Sequence, residues 1–318
     1  MSAKSLGKLI LITLLFSLGK NTFAQDASRV FVEQTGWSIG WNLGTTDMWG
    51  DVGTKNPIEH YINGKYFDKV VAMGGMFGRY TIHPALAVRM GASYGTLYAT
   101  DAWNERLMKL DKLIGGDAYQ RWARQQDSKP DVFENTLLLE FTPFRLNAEK
   151  RRAGAAGQLY FGLGISYFYF IPKSSVGQSG VFVNTYDYHL EGEGFGDSFP
   201  KQYSRWAFAI PMVVGYRFDL GKHINLGFEF NFRKTFTDHL DGVSGKYITY
   251  DEYKKHLSAE DAWTAFQVAD KSPFWRTDHP HTHGENRGTG TGSDNYSSFN
   301  IVLYYKLHQT DQRWWTRM

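Results

Sequence analysis

Apolar residues recur at every second position in stretch after stretch of this chain. Across residues 223–235, Ile224, Leu226, Phe228, Phe230 and Phe232 fall on one face, and Asn225, Gly227, Glu229, Asn231 and Arg233 on the other. A period of two predicts extended strands, because successive side chains point to opposite sides of a sheet. The same alternation runs from Trp37 to Leu43, Leu86 to Tyr98, Phe133 to Phe141, Leu159 to Tyr169, Trp206 to Phe218 and Phe299 to Leu307. A Gly-rich run over 69–82, with Gly74 and Gly78 on its apolar face, makes the eighth strand. Each is long enough for the roughly 9–11 residues that a tilted membrane-spanning strand requires.

The connections alternate as well. Long links fall at 46–68, 99–130, 171–203 and 236–295, and short ones at His83-Pro84, Asn147 to Ala156 and Leu220-Gly221. Long loops on one rim and short turns on the other is the layout of an all-β, eight-stranded antiparallel transmembrane barrel with extracellular loops and periplasmic turns. The even strand count places both termini on the periplasmic rim. A soluble sandwich or lipocalin-like barrel would turn the apolar face inward and would have no use for Trp and Tyr at both ends of an outward face.

That assignment gives the polar face a destination. An eight-stranded barrel encloses a space that its own side chains fill. The inward charges are then Arg79, Arg89, Arg217, Arg233 and Lys306 against Glu134, Glu140 and Glu229. Unpaired charges in such a lumen are costly, so a paired ion network plugging the barrel is expected.

The chain start fits export. Lys4 and Lys8, the apolar run Leu9–Leu18 and the exit Thr22-Phe23-Ala24 read as a signal peptide over 1–24, followed by a barrel domain over 25–307 and a periplasmic tail over 308–318. The sequence has no Cys, so no disulfide framework exists. A net charge of +3 makes no case for nucleic acid. Aromatics at 16% alongside 33 glycines suit a sheet that meets lipid at its rims and bends tightly around a small interior.

The long loops carry short helical patterns: Trp103, Leu107, Leu110 and Ile114, then Trp263, Phe266 and Val268 behind a Ser258-x-x-Asp261 capping box. We read these as helices covering loop backbone. The last loop holds ten Asp/Glu against six Lys/Arg between 236 and 295, an acidic outer crown.

Candidate chemistry is sparse. His281 and His283, two apart on extended backbone, point the same way and could suit Zn or Cu, but a solvated loop beside a Gly/Thr-rich stretch is the preferred reading, and no metal or cofactor is expected. Asp238-His239 and Asp278-His279 offer no nucleophile elbow, which disfavours a hydrolase. A small-solute pore is the rival within transport. On the periplasmic side, Arg145, Lys150, Arg151 and Arg152 in the fourth connection, with Trp314 and Trp315 in the tail, form a candidate docking patch for an acidic partner.

Three stretches together carry a family resemblance: "WSIGWNLGTTDMWGDVG", "DVFENTLLLEFTPFRLN" and "AIPMVVGYRFDLGKHINLGFEFNFRKTFTDHLDGVSGKY". They resemble the PorG-like outer-membrane barrels associated with the type IX secretion system. The resemblance implies an eight-stranded, non-catalytic barrel attached from the periplasmic side to ring-forming secretion proteins, and we read it as monomeric, in a Gram-negative outer membrane and surrounded by its lipid. By the same match, Asp238, Leu240, Asp241, Val243, Ser244, Gly245 and Tyr247 carry over as loop-structure residues, with no ligand role.

Overall fold

The computed structural model describes residues 35–55, 71–110, 116–145, 157–220, 223–275, 281, 284–289 and 292–310. The expected signal peptide, Lys150, Arg151, Arg152, His283, Trp314 and Trp315 lie outside the described residues. Eight long strands dominate: β1 (Thr35–Trp49), β2 (Ala72–His83), β3 (Leu86–Thr96), β4 (Asp131–Phe141), β5 (Gly157–Ile171), β6 (Trp206–Asp219), β7 (Ile224–Thr235) and β8 (Asn295–Thr310). Each pairs antiparallel with its sequence neighbour, and β8 returns to β1, so the sheet closes into a barrel. Trp41 shows the closure directly, facing Met76 on one side and Leu303 on the other. Closure leaves no strand edge unpaired, the condition for putting a sheet into hydrocarbon.

The alternation decides which face looks out. Every strand sends apolar side chains outward, among them Leu43, Met76, Met90, Leu139, Ile165, Val214, Phe230 and Ile301, all exposed. Met90 keeps 70% of its surface accessible, which makes sense only if lipid covers it. Rings gather toward both ends of this band. Trp37 and Tyr80 pack 5.0 Å apart at the turn end, and Tyr167 stacks on Trp206 at 4.9 Å at the loop end. Such girdles sit where chain and headgroup regions meet.

Several expectations need adjusting. The β2–β3 turn is Pro84–Ala85, one residue later than expected, with His83 facing Leu86. The fixed φ of Pro suits the first central position of a turn. Tyr98 does not extend the outward face of β3; the strand ends at Thr96, and Tyr98 packs inside at the loop end. Ile114 lies outside the described residues, and the first loop helix is a 3₁₀ turn at Asp101–Asn104 running into α1 (Glu105–Leu110). Three helices went unforeseen, α2 (Asp117–Arg124), α3 (Tyr250–His256) and a single turn at Ser272–Trp275, because each is too short to repeat an apolar stripe. The capping box does start α4 (Ala259–Ala269), with Ser258 Oγ accepting from Asp261 N at 3.1 Å. Among the described residues no helix is long and apolar enough to cross a membrane.

Glycine is required where the wall is tightest. A Cβ on Gly164 of β5 would sit 1.9 Å from the Leu137 carbonyl oxygen on β4.

Candidate functional site

The inside of the barrel has two storeys of different chemistry. All eight inward charges are buried, and those of the first layer lie toward the turn end. Glu140 of β4 is the hub: its carboxylate meets Arg79 Nε at 2.7 Å, Arg89 Nε at 3.1 Å and Arg217 Nη1 at 3.7 Å. Arg89 also reaches Glu229 of β7, with Nη1 at 2.5 Å from Oε1. That oxygen accepts from two tyrosine hydroxyls, Tyr160 at 2.5 Å and Tyr304 at 3.0 Å. The same rings carry the guanidinium of Arg217, 4.9 Å and 5.2 Å from their centroids. The guanidinium groups of Arg79, Arg89 and Arg217 are thus held against carboxylates, those of Arg89 and Arg217 also against aromatic faces, which is how a buried charge avoids the full cost of leaving water.

A second ion layer lies six residues along β4, about 20 Å at the rise of a strand. There Arg233 Nη2 meets Glu134 Oε2 at 3.1 Å and its Nη1 donates to Ser298 Oγ at 2.6 Å. Ser166 Oγ donates to the other oxygen of Glu134 at 2.7 Å, and Arg233 lies 5.0 Å from the Tyr296 ring centroid. Between the layers is a cavity of about 30 Å³, lined by Asn42, Phe77, Arg89, Thr136, Asn231 and Arg233 among others. That is room for about two waters, not for a passing solute.

Above the second layer the polar-inward rule stops. Met48, Met73, Val132, Phe168, Phe170 and Tyr296 turn inward from the loop ends of their strands. They pack against Val52, Leu97, Tyr98, Trp103, Leu240 and Val243 from the loops. The loops therefore form a folded cap whose apolar core sits in the barrel mouth. The parity of β5 held the signal: Tyr160, Phe168 and Phe170 lie on the face opposite Phe161 and Tyr167, so both faces of that strand are apolar near its loop end.

Arginines stitch the cap together. Arg124 of α2 pairs with Asp101 at 2.8 Å and donates to the carbonyls of Arg287 at 2.5 Å and Asp51 at 2.6 Å. Arg287 pairs with Glu191 at 2.9 Å and donates to the carbonyls of Gly242 and Ala269. Lys271 is buried against Asp127 at 2.5 Å and the hydroxyls of Ser174 and Ser175, and burial depresses its ammonium pKa despite that partner. None of these six groups was singled out from sequence, since isolated charges in loops carry no period.

The seven residues of the loop motif act inside this cap. Leu240 and Val243 enter the apolar core. Asp241 accepts from the backbone N–H of Val52 at 2.9 Å and of Val243 at 2.8 Å. Ser244 and Gly245 donate their N–H groups to Glu191, and Ser244 Oγ donates to Asp238 at 2.8 Å. The buried Tyr247 ring lies flat on His281, 4.3 Å away. Asp241, Asp294 and Asp51 crowd one spot: a Cβ on Gly50 would be 2.4 Å from Asp294 Oδ1 and 2.5 Å from Asp241 Oδ2. Burial first, and Asp51 second, push the Asp241 carboxyl up to about 7. Asp294 is raised further, by burial and by Asp241. The expected acidic outer crown thus carries Asp241 and Asp294 buried within the cap.

Of the two Asp-His pairs, Asp278 and His279 lie outside the described residues, and Asp238 and His239 are described. His239 stacks on Tyr203 at 4.2 Å while Asp238 bonds Ser244, so the two neighbours face different partners. His281 Nδ1 lies 2.9 Å from Glu285 Oε2, and among the described residues no group of three His, Cys, Asp or Glu is placed to hold a metal. Of the basic residues in the β4–β5 connection, only the backbone of Arg145 is described, in a 3₁₀ turn at Pro143–Arg145.

A closed strand cylinder with lipid-facing apolar walls and a charged, filled interior defines an eight-stranded transmembrane barrel of the outer-membrane type. The chain belongs to the family described as Domain of unknown function (DUF6089), whose model matches residues 27–269. No curated protein matches the sequence. Among solved structures it is similar to Ail, the attachment invasion locus protein of Yersinia pestis, at 10% identity and a TM-score of 0.35, covering 86% of this chain and 99% of that one. It is also similar to Neisserial surface protein A, at 8% identity and a TM-score of 0.36, covering 86% and 100%. A third is the outer membrane protein OprG from Pseudomonas aeruginosa, at 11% identity and a TM-score of 0.33, covering 86% and 98%.

Proposed function

We propose that this protein is a non-conducting, non-enzymatic barrel that anchors an envelope assembly in the outer membrane, with its long loops outside the cell and both termini in the periplasm. The observation that carries the reading is the filled interior. Two ion layers and an apolar core occupy the lumen in series, and a solute would have to break buried ion pairs to pass. The finer assignment, a component of a type IX-like secretion machine that docks periplasmic ring proteins, rests on the resemblance of the three sequence stretches. A partner inside the envelope would meet the basic connection at Arg145 to Arg152 or the tail with Trp314 and Trp315.

Two measurements test this. Purified barrel in a planar bilayer should give no steady conductance, and a stable ohmic channel would revive the pore reading. Deleting 311–318, beyond the end of β8, and reversing Lys150, Arg151 and Arg152 should leave the barrel folded but release co-purifying periplasmic protein. Trimming loop 236–295 from the cell surface should leave that association intact. If trimming releases the partner and the periplasmic changes do not, the docking side is wrong.

A further inference from the structure

We propose that the loop-end rim around Arg205 and Lys234 seats the phosphates of a glycolipid in the surrounding leaflet. The site begins with rings. Trp206 on β6 stacks on Tyr167 and lies 5.0 Å from Tyr169, both on the outward face of β5. Phe208 and Phe236 extend this surface, joined by the bond from Phe236 N to Phe208 O, and are 58% and 63% exposed. Five rings in one outward patch at the end of the apolar band mark the level where acyl chains give way to headgroups.

Two cations border that patch. The guanidinium of Arg205 lies 5.1 Å from the Tyr169 centroid and 4.3 Å from that of Tyr186, so it is held at the lipid boundary and not free to swing into the cap. Lys234 faces outward from β7, opposite Ile210 of β6. Among the described residues neither forms an ion pair, whereas Lys173 on the same rim is matched by Asp131 at 2.5 Å. A cation at the edge of a low-dielectric layer draws an anion from whatever surrounds it, and here the surroundings are lipid headgroups. Arg205 and Ile210 are five residues apart along β6, about 17 Å, and the Lys234 stem can extend toward the headgroups, which suits a headgroup carrying separated phosphates.

The choice of a glycolipid rests on the proposed orientation, with the long loops outside, because that leaflet is where phosphorylated glycolipid resides. Native mass spectrometry of detergent-purified barrel, titrated with diphosphorylated lipid A, its dephosphorylated form and phosphatidylglycerol, tests the site. Arg205→Gln with Lys234→Gln should weaken lipid A binding about 25-fold, from two contacts worth about fivefold each. Heat-modifiability on gels verifies that the double variant is folded, and the single variants serve if it is not. Unchanged lipid A binding in folded variants, or equal binding of the dephosphorylated form, overturns the proposal. Phosphatidylglycerol bound as tightly as lipid A overturns the glycolipid assignment, and surface proteolysis of loop 236–295 then reports separately whether the orientation also fails.

Discussion

Replacing Glu140 with Gln keeps the shape of the hub and removes its charge. The side chain is fully buried and faces Arg79, Arg89 and Arg217. Losing one partner of a buried ion pair costs about 3–5 kcal/mol, because the charge left behind has already given up its water. Three arginines lose a partner here, yet each keeps a substitute. Arg89 retains Glu229 at 2.5 Å, Arg79 Nη1 retains Thr81 Oγ1 at 2.7 Å, and Arg217 retains the faces of Tyr160 and Tyr304. We therefore expect a loss of about 4 kcal/mol, the middle of that range and not a multiple of it. At a urea slope of about 2 kcal/mol per M, the unfolding midpoint in lipid vesicles, followed by Trp fluorescence, should fall by about 2 M. Glu229→Gln should fall less, by about 3 kcal/mol, since Arg89 keeps Glu140 and the freed Tyr160 and Tyr304 hydroxyls already lie 3.0 Å apart. A Glu140→Gln midpoint matching wild type would mean that water reaches the hub, and the filled-lumen account would fail.

The cap should loosen as pH rises. Asp241 carries a pKa of about 7 in the folded protein against an ordinary 3.8, so the folded state holds the extra proton, and that stability, present below about 4, is lost as pH climbs through about 7. Asp51 and Asp294 oppose its ionisation, and Arg124 favours it. Hydrogen exchange over 50–52 and 238–244, corrected for intrinsic rate, should be faster at pH 8 than at pH 5, and Asp241→Asn should flatten the difference; equal protection at both pH values would refute the buried-proton reading. Gly164→Ala should cost about 1–3 kcal/mol through the forced shift of β4 and β5, and an unperturbed midpoint would show that the wall yields there.

The sequence by itself determined the wall. Period-two alternation, strand length, loop-length asymmetry and closure by an even count were all legible in the residues of β1 to β8, because a strand in lipid has only two faces and each position must match its own. Which charges point inward followed from parity alone: Glu134, Glu140 and Glu229 needed no coordinates to be placed inside. Tertiary structure decided the pairing. That Glu140 serves three arginines while Glu229 serves one arginine and two tyrosines depends on barrel shear, which sets which strands face each other across the lumen. It also decided the cap. Arg124, Arg287, Asp51 and Glu191 come from four separate loops, and nothing periodic links them. Their convergence arises because the apolar loop ends of β1, β2, β4 and β5 need cover from water, and only loops folding back into the barrel mouth can supply it.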